Sequence, residues 1–245
     1  MSRTRLILLG LLAVLAVGVV ASASATEPPV KCGGKVEKTP DYCVVGFELE
    51  NAKGEPVSAK LEGTNGASIL KATVAGATTE IKCGTGKTTG SIEGGAGGTV
   101  GKSKITTTFE ACKLLKPATC KLTAADEKEI ETSELKGELV LTAGRVEDKL
   151  EPKEGAFTAV SIEGKEITCP IAEIERPESY NITGSQLCEI DTSNLVAAEE
   201  TEKHKIICKP AGSALLKIGG NKAEITNEAT VKLISGKKWS VKEDT

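Results

Sequence analysis

The sequence predicts an all-β fold: an antiparallel β-sandwich, or a barrel-like form of it, braced by disulfides and carrying at most one short helix. Three observations carry this. From Ser68 onward, short runs rich in Val, Ile, Thr and Leu recur between glycines, at the spacing of all-β folds. Several runs alternate, as in Thr230-Val231-Lys232-Leu233, where the two apolar residues face one way and the two polar ones the other. All eight cysteines lie after an export-like N-terminus, and an even number there reads as a disulfide framework.

The N-terminus comes first. Arg3 and Arg5 give a short positive region, Leu6 to Val20 is apolar, and Ala21-Ser22-Ala23-Ser24-Ala25 supplies small residues of the cleavage-site kind. The apolar run is shorter than the ~20 residues that a spanning helix needs. Residues 1–25 are therefore expected to be a cleaved signal peptide, with cleavage after Ala25 or else after Ala23. The protein is expected outside the cytoplasm, extracellular or associated with the cell envelope, with no stable membrane anchor after cleavage. Pro29-Val30-Lys31 precedes Cys32 in place of a lipobox, so Cys32 is not read as a lipidation site.

Residues 26–60 read as an N-terminal segment whose loop a disulfide closes, and residues 61–245 as one all-β domain. In the first, Pro28, Pro29, Pro40 and Gly33-Gly34 suggest a loose start, Cys43 to Leu49 a strand, and Lys53-Gly54-Glu55-Pro56 a turn. In the second, strands are expected at 68–74, 79–83, 88–93, 103–110, 119–123, 137–142 and 157–163. Further strands are expected at 166–169, 179–183, 203–208, 214–218, 230–234 and 238–241. The apolar residues of 124–134 do not hold a helical spacing, so the one helix is expected at 194–205, capped by Ser193 or Asn194. Thr79-Glu80-Ile81-Lys82-Cys83 is similar to Lys165-Glu166-Ile167-Thr168-Cys169, a weak hint of duplication that does not divide the domain.

The net charge of −3, with no basic block, makes the chain a poor partner for nucleic acid or an anionic membrane. Only Phe47, Phe109, Phe157, Tyr42, Tyr180 and Trp239 are aromatic, so aliphatic residues and cross-links must carry the core. One histidine and no C-x-x-C pair give no metal-ligand pattern, and no cofactor is expected.

The remaining motifs carry no catalytic set. Gly84-Thr85-Gly86-Lys87-Thr88-Thr89-Gly90 has Ile81 where a phosphate loop needs glycine, so it reads as a glycine-rich hairpin turn. Gly94 to Gly98 reads as a flexible loop. His204, within Glu202-Lys203-His204-Lys205, reads as exposed, and no nucleophile elbow accompanies it. A glycosidase would need two carboxylates at a cleft, and stacking rings are scarce. Asn181-Ile182-Thr183 is a formal glycosylation sequon, to which no role is assigned.

The cysteines carry the strongest signal. Cys112–Cys120, a strand–loop–strand corner turning at Pro117, and Cys32–Cys43 are close in the chain and easily closed. Of the rest, Cys83–Cys169 would match the two similar strand–cysteine units and leave Cys188–Cys208, though this long-range half stays open. With no C-x-x-C or helix N-terminus beside them, the cysteines read as structural.

At the Ile81-Lys82-Cys83 strand, the Phe109-Glu110-Ala111-Cys112 to Cys120 corner and the Ala229-Thr230-Val231-Lys232-Leu233 strand, the chain resembles a family of short secreted bacterial proteins. Those are cysteine-containing, all-β and without an assigned activity, and the resemblance covers roughly residues 60–242. It implies secretion and a β fold. Cys32, Cys43, Cys188 and Cys208 look like additions to the family pattern, which makes pairing among them plausible.

The function expected from these residues is non-enzymatic: a secreted structural or binding module, monomeric, with an extracellular or envelope partner. Two rivals make distinct demands. A polysaccharide-directed hydrolase needs paired carboxylates and an aromatic platform around Trp239 or Tyr180. A protease-inhibitor-like module needs Leu114 to Ala118 to protrude as a rigid loop between bridged cysteines.

Overall fold

The computed structural model describes residues 31–32, 35–36, 45–49, 57–94, 101–142, 145–190, 203–209, 216–236 and 239–243. The first strands are β1 (Lys31–Cys32), β2 (Lys35–Val36), β3 (Val45–Leu49), β4 (Val57–Asn65), β5 (Ser68–Val74), β6 (Ala77–Cys83) and β7 (Thr85–Gly94). Then come β8 (Lys102–Glu110), β9 (Lys113–Lys116), β10 (Cys120–Leu122), the helix α1 (Ala124–Lys128), β11 (Glu129–Glu131), β12 (Leu135–Thr142) and β13 (Arg145–Pro152). The last are β14 (Thr158–Gly164), β15 (Glu178–Thr183), β16 (Gln186–Ile190), β17 (Lys203–Cys208), β18 (Lys217–Ile218), β19 (Asn221–Leu233) and β20 (Trp239–Glu243). The boundary drawn at residue 60 falls inside β4, and the expected signal peptide lies outside the described residues.

Of the two forms expected, the barrel is the one that forms. Strands β4, β7, β8, β12, β13, β16, β17 and β19 pair in that order, each antiparallel to the next. The ladder Leu233↔Leu61 to Ala229↔Asn65 between β19 and β4 then closes the ring. Closure removes the unpaired strand edges that an open sheet would present. Along each wall apolar residues alternate inward, as in the buried Val146 and Leu150 of β13, with Asp148 at the inward position between them, while Lys and Glu face out. Across neighbouring strands those charges pair, for example Lys232 with Glu62 at 3.1 Å and Arg145 with Glu189 at 3.3 Å. Such exposed pairs each contribute about 1 kcal/mol or less.

A second curled sheet continues from the barrel. Its order is β10, β14, β15, β18, β19, β5, β6 and β9, and β9 lies beside β10 again. The thirteen residues of β19 serve both bodies: Ala223–Thr226 pair with β5, and Asn227–Lys232 pair with β17. Two-residue turns at Ala75-Gly76 and Gly219-Gly220, all four at positive φ, close the β5–β6 and β18–β19 hairpins. The two cores are largely aliphatic. Fully buried Ile92, Val146, Val231 and Val241 belong to the barrel, and Val160, Ile162 and Ile218 to the second sheet. Each such side chain stabilises the fold by roughly 1.5–3 kcal/mol relative to an exposed position.

Several expectations are corrected here. Gly84 to Gly90 is not a hairpin turn; from Thr85 it is the paired strand β7. Its glycines allow close backbone approach, since a Cβ on Gly90 would stand 2.0 Å from the carbonyl oxygen of Lys104. Residues 165–168 form a turn, not a strand, held by the Lys165 N–H donating to the Thr119 carbonyl, so the second strand–cysteine unit does not exist. The helix lies at Ala124–Lys128, where Asp126 accepts a hydrogen bond from the Ser161 N–H. Of the expected helix at 194–205, residues 203–205 belong to β17 and the rest lie outside the described residues. Val57–Asn65, Arg145–Pro152 and Gln186–Ile190 are strands that the sequence reading did not place.

The disulfides among the described residues are Cys83–Cys112, Cys120–Cys169 and Cys188–Cys208. The last is as expected, with the two cysteines directly opposite across β16 and β17. Cys112–Cys120 and Cys83–Cys169 do not form. The stretch between Cys112 and Cys120 is not a free loop, because Lys113–Lys116 pairs as β9 with β6 in the register Lys82↔Lys113. That register brings Cys112 opposite Cys83, Cα to Cα 3.9 Å. Cys120, at the start of β10, instead meets the turn at Cys169, Cα to Cα 5.2 Å. The Cys32–Cys43 pairing lies outside the described residues. The bridges found suit an oxidising compartment.

Non-reducing peptide mapping should recover Cys83–Cys112, Cys120–Cys169 and Cys188–Cys208 as linked pairs; a Cys112–Cys120 peptide would contradict the β6–β9 register. The double substitution Cys120→Ser with Cys169→Ser should lower unfolding free energy by about 2–4 kcal/mol in a denaturant titration.

Candidate functional site

The barrel is not filled. Where its interior meets the second sheet lies a cavity of about 130 Å³. Its walls are mostly aliphatic, with Leu61, Ile105, Leu135, Leu150, Ile190 and Val231 contributed by six of the barrel strands. Trp239, 1 % exposed and the only tryptophan in the chain, also lines the space from β20. Strand β20 pairs with β3, which packs against β7 and β12.

A polar belt runs through these apolar walls at the seam between the two bodies. It forms there because β4 ends at Asn65, β5 begins at Ser68, and β19 changes partners at Asn227. The Asn65 amide donates to Thr88 Oγ1 at 3.0 Å, and Thr88 and Thr107 share a hydrogen bond of 2.9 Å. Ser68 Oγ donates to Asn227 Oδ1 at 3.0 Å, and the Thr107 N–H donates to Thr132 Oγ1 at 2.9 Å. The Gln186 amide donates to the carbonyls of Leu187 and Lys209, at 2.8 and 3.0 Å. These groups satisfy one another, which is what burial demands.

Asp148 does not fit that pattern. It lines the same cavity, is 6 % exposed, and accepts one hydrogen bond on Oδ2, from Ser103 Oγ at 2.6 Å. Oδ1 is buried and has no hydrogen-bond partner. Burial pushes the Asp148 carboxyl up from 3.8 to about 6, while the Ser103 hydrogen bond pulls the other way. Gly137 makes the room: a Cβ there would stand 2.1 Å from both Asp148 Oδ1 and Ser103 Oγ. Asp148 is the sole carboxylate among the described residues that line the cavity, and no lysine or arginine lines it with them.

Other residues singled out in the sequence fall elsewhere. His204 is not exposed but 5 % accessible, because β17 alternates and its flanking Lys203 and Lys205 take the outer face. His204 Nε2 lies 2.7 Å from the Trp239 carbonyl oxygen, and the two rings are 4.0 Å apart. Tyr180 sits on β15 of the second sheet with its hydroxyl donating to the Ile171 carbonyl, and of the two rings singled out only Trp239 lines the cavity. Within residues 114–118, Leu114 to Lys116 belong to paired strand β9, with Leu114 buried and Leu115 and Lys116 exposed. Cys83, Cys188 and Cys208 line the cavity as disulfide sulfurs. Among the described residues, no group of three or more His, Cys, Asp or Glu gathers as a metal site.

The sequence reading missed Asp148. The available signal was its place between Val146 and Leu150 at a period of two, which puts a charge on an inward face. Glu147-Asp148-Lys149 instead reads as a solvated run. No protein-family model, no curated protein and no solved structure matches this chain.

Two stability outcomes follow from this geometry. Gly137→Ala should cost about 1–3 kcal/mol by forcing the Ser103–Asp148 pair apart, and an unchanged denaturation midpoint would count against the crowding described. The second outcome concerns pH. Between pH 3.8 and about 6 the folded chain holds a proton on Asp148 that the unfolded chain has lost. The stability this group contributes is therefore complete below pH 3.8 and is lost as pH rises through about 6. The loss is on the order of 3 kcal/mol. Asp148→Asn should remove that component, so the variant gains on the native chain between pH 4 and 7. Parallel stability–pH curves for the two proteins would refute it.

Proposed function

We propose that this protein is an exported, non-enzymatic binding module whose barrel holds a small, largely apolar molecule in its interior. The observation that carries the reading is the cavity of about 130 Å³, walled by aliphatic side chains and Trp239 and crossed by a polar belt. A cavity of this order lined by Leu, Ile and aromatic groups excludes water poorly bound to it and takes up small hydrophobic guests. Small-molecule sites share this composition, a mostly apolar lining with a few placed polar groups. The disulfides and the signal-like N-terminus support action outside the cytoplasm, on a ligand of the extracellular or envelope space. Barrel closure leaves the ring strands without free edges, in keeping with a monomer. A polysaccharide hydrolase would need a second carboxylate beside Asp148, and the described lining residues supply none.

The single tryptophan makes the test direct. Titrating the protein with propylbenzene should change Trp239 fluorescence saturably and raise the melting temperature. Ala229→Leu, which places three more carbons in the cavity wall, should weaken that binding while the fold is kept. Absence of any saturable response in the native protein would end this reading.

A further inference from the structure

We propose that the cavity selects small apolar molecules that carry an amine, the ammonium group donating to Asp148. This rests on the binding-module reading and adds the chemistry of the ligand to it. The belt groups around the cavity are engaged with one another: Asn65 with Thr88, Thr88 with Thr107, Ser68 with Asn227. Asp148 stands apart, with Oδ1 buried and unpartnered. A buried carboxylate that lacks a cation is costly, and removing water strengthens its attraction for one that arrives. No lysine or arginine among the described lining residues supplies that cation. A guest ammonium would fill this gap with a charge-assisted hydrogen bond, and Ser103 already orients the carboxylate through Oδ2. A guest carboxylate or phosphate would meet Asp148 as a like charge and be refused. The hydrocarbon part of the guest would lie against Leu135, Leu150 and the other apolar wall residues. Its bulk is limited to a single ring or a short alkyl chain by the size of the space.

The experiment compares two molecules of nearly the same shape, phenethylamine and propylbenzene, by calorimetry and by Trp239 fluorescence at neutral pH. Phenethylamine should bind on the order of tenfold to hundredfold more tightly, the range a charge-assisted hydrogen bond supplies. Asp148→Asn, which keeps the shape and removes the charge, should bring the two affinities together, with propylbenzene binding retained as evidence of an intact cavity. Ser103→Ala, which keeps the carboxylate, should retain the preference for the amine. Equal affinities in the native protein, or a preference that survives Asp148→Asn, would overturn the amine assignment and leave the binding module standing. Failure of both compounds to bind the native protein would overturn both. The comparison in the native protein decides the matter even if Asp148→Asn does not fold.

Discussion

Closure of the barrel through β19 is the constraint on which the other features depend. One strand of thirteen residues pairs with β17 and β4 along its second half and with β5 and β18 along its first. It is thus a wall of two bodies at once, and a one-residue slip of its register would turn Val231 and Leu233 outward and Lys232 inward. The directly opposed Lys232–Glu62 pair on the outside and Val231 against Gly63 on the inside both depend on the same register. A Cβ at Gly63 would come within 2.7 Å of a Val231 methyl, so glycine is what lets β4 approach β19 closely enough to close the ring.

Two bodies that share a strand must meet at a seam, and the seam explains the interior. Strands β4 and β5, and β6 and β7, are separated by only one or two residues, so the chain passes from one body to the other almost without interruption. Inward positions there carry Asn65, Ser68, Thr88, Thr107 and Asn227, short polar residues that bond one another across strands. Short side chains do not reach the barrel axis, and few aromatic rings are present to fill it. The space that results is the cavity, and Asp148 stands at its wall with one carboxylate oxygen that this mutual bonding does not reach.

The disulfides show how local and non-local information differ. Cys188 and Cys208 pair as expected because an antiparallel partner strand places them face to face. Cys112 and Cys120 are only eight positions apart, yet the bridge runs to Cys83 and Cys169 instead. Loop closure entropy grows only logarithmically with loop length, so nearness in the chain is weak guidance once strand pairing has positioned the sulfurs. The pairing of β9 with β6 outweighs the shorter loop. The corner at Cys112 to Cys120 therefore joins two different parts of the second sheet, one bridge on each side of the turn at Pro117.

What the sequence by itself determined is the class of structure. Runs of β-branched residues, period-two alternation and paired cysteines specify an antiparallel, cross-linked β protein with an aliphatic core, because those signals act within single strands. It also left marks of the site that are legible afterwards, such as a charge at Asp148 between Val146 and Leu150, and a glycine at position 137, which the fold sets directly opposite Ser103. Only the tertiary structure decided which strands are neighbours, that the sheet closes, which cysteines meet, and that Asp148 and His204 turn inward. The physical reason is common to all four. Alternation says that a strand has two faces, but which face is inside depends on partners far away in the chain. The cavity exists in the register between strands, and no stretch of residues contains it alone.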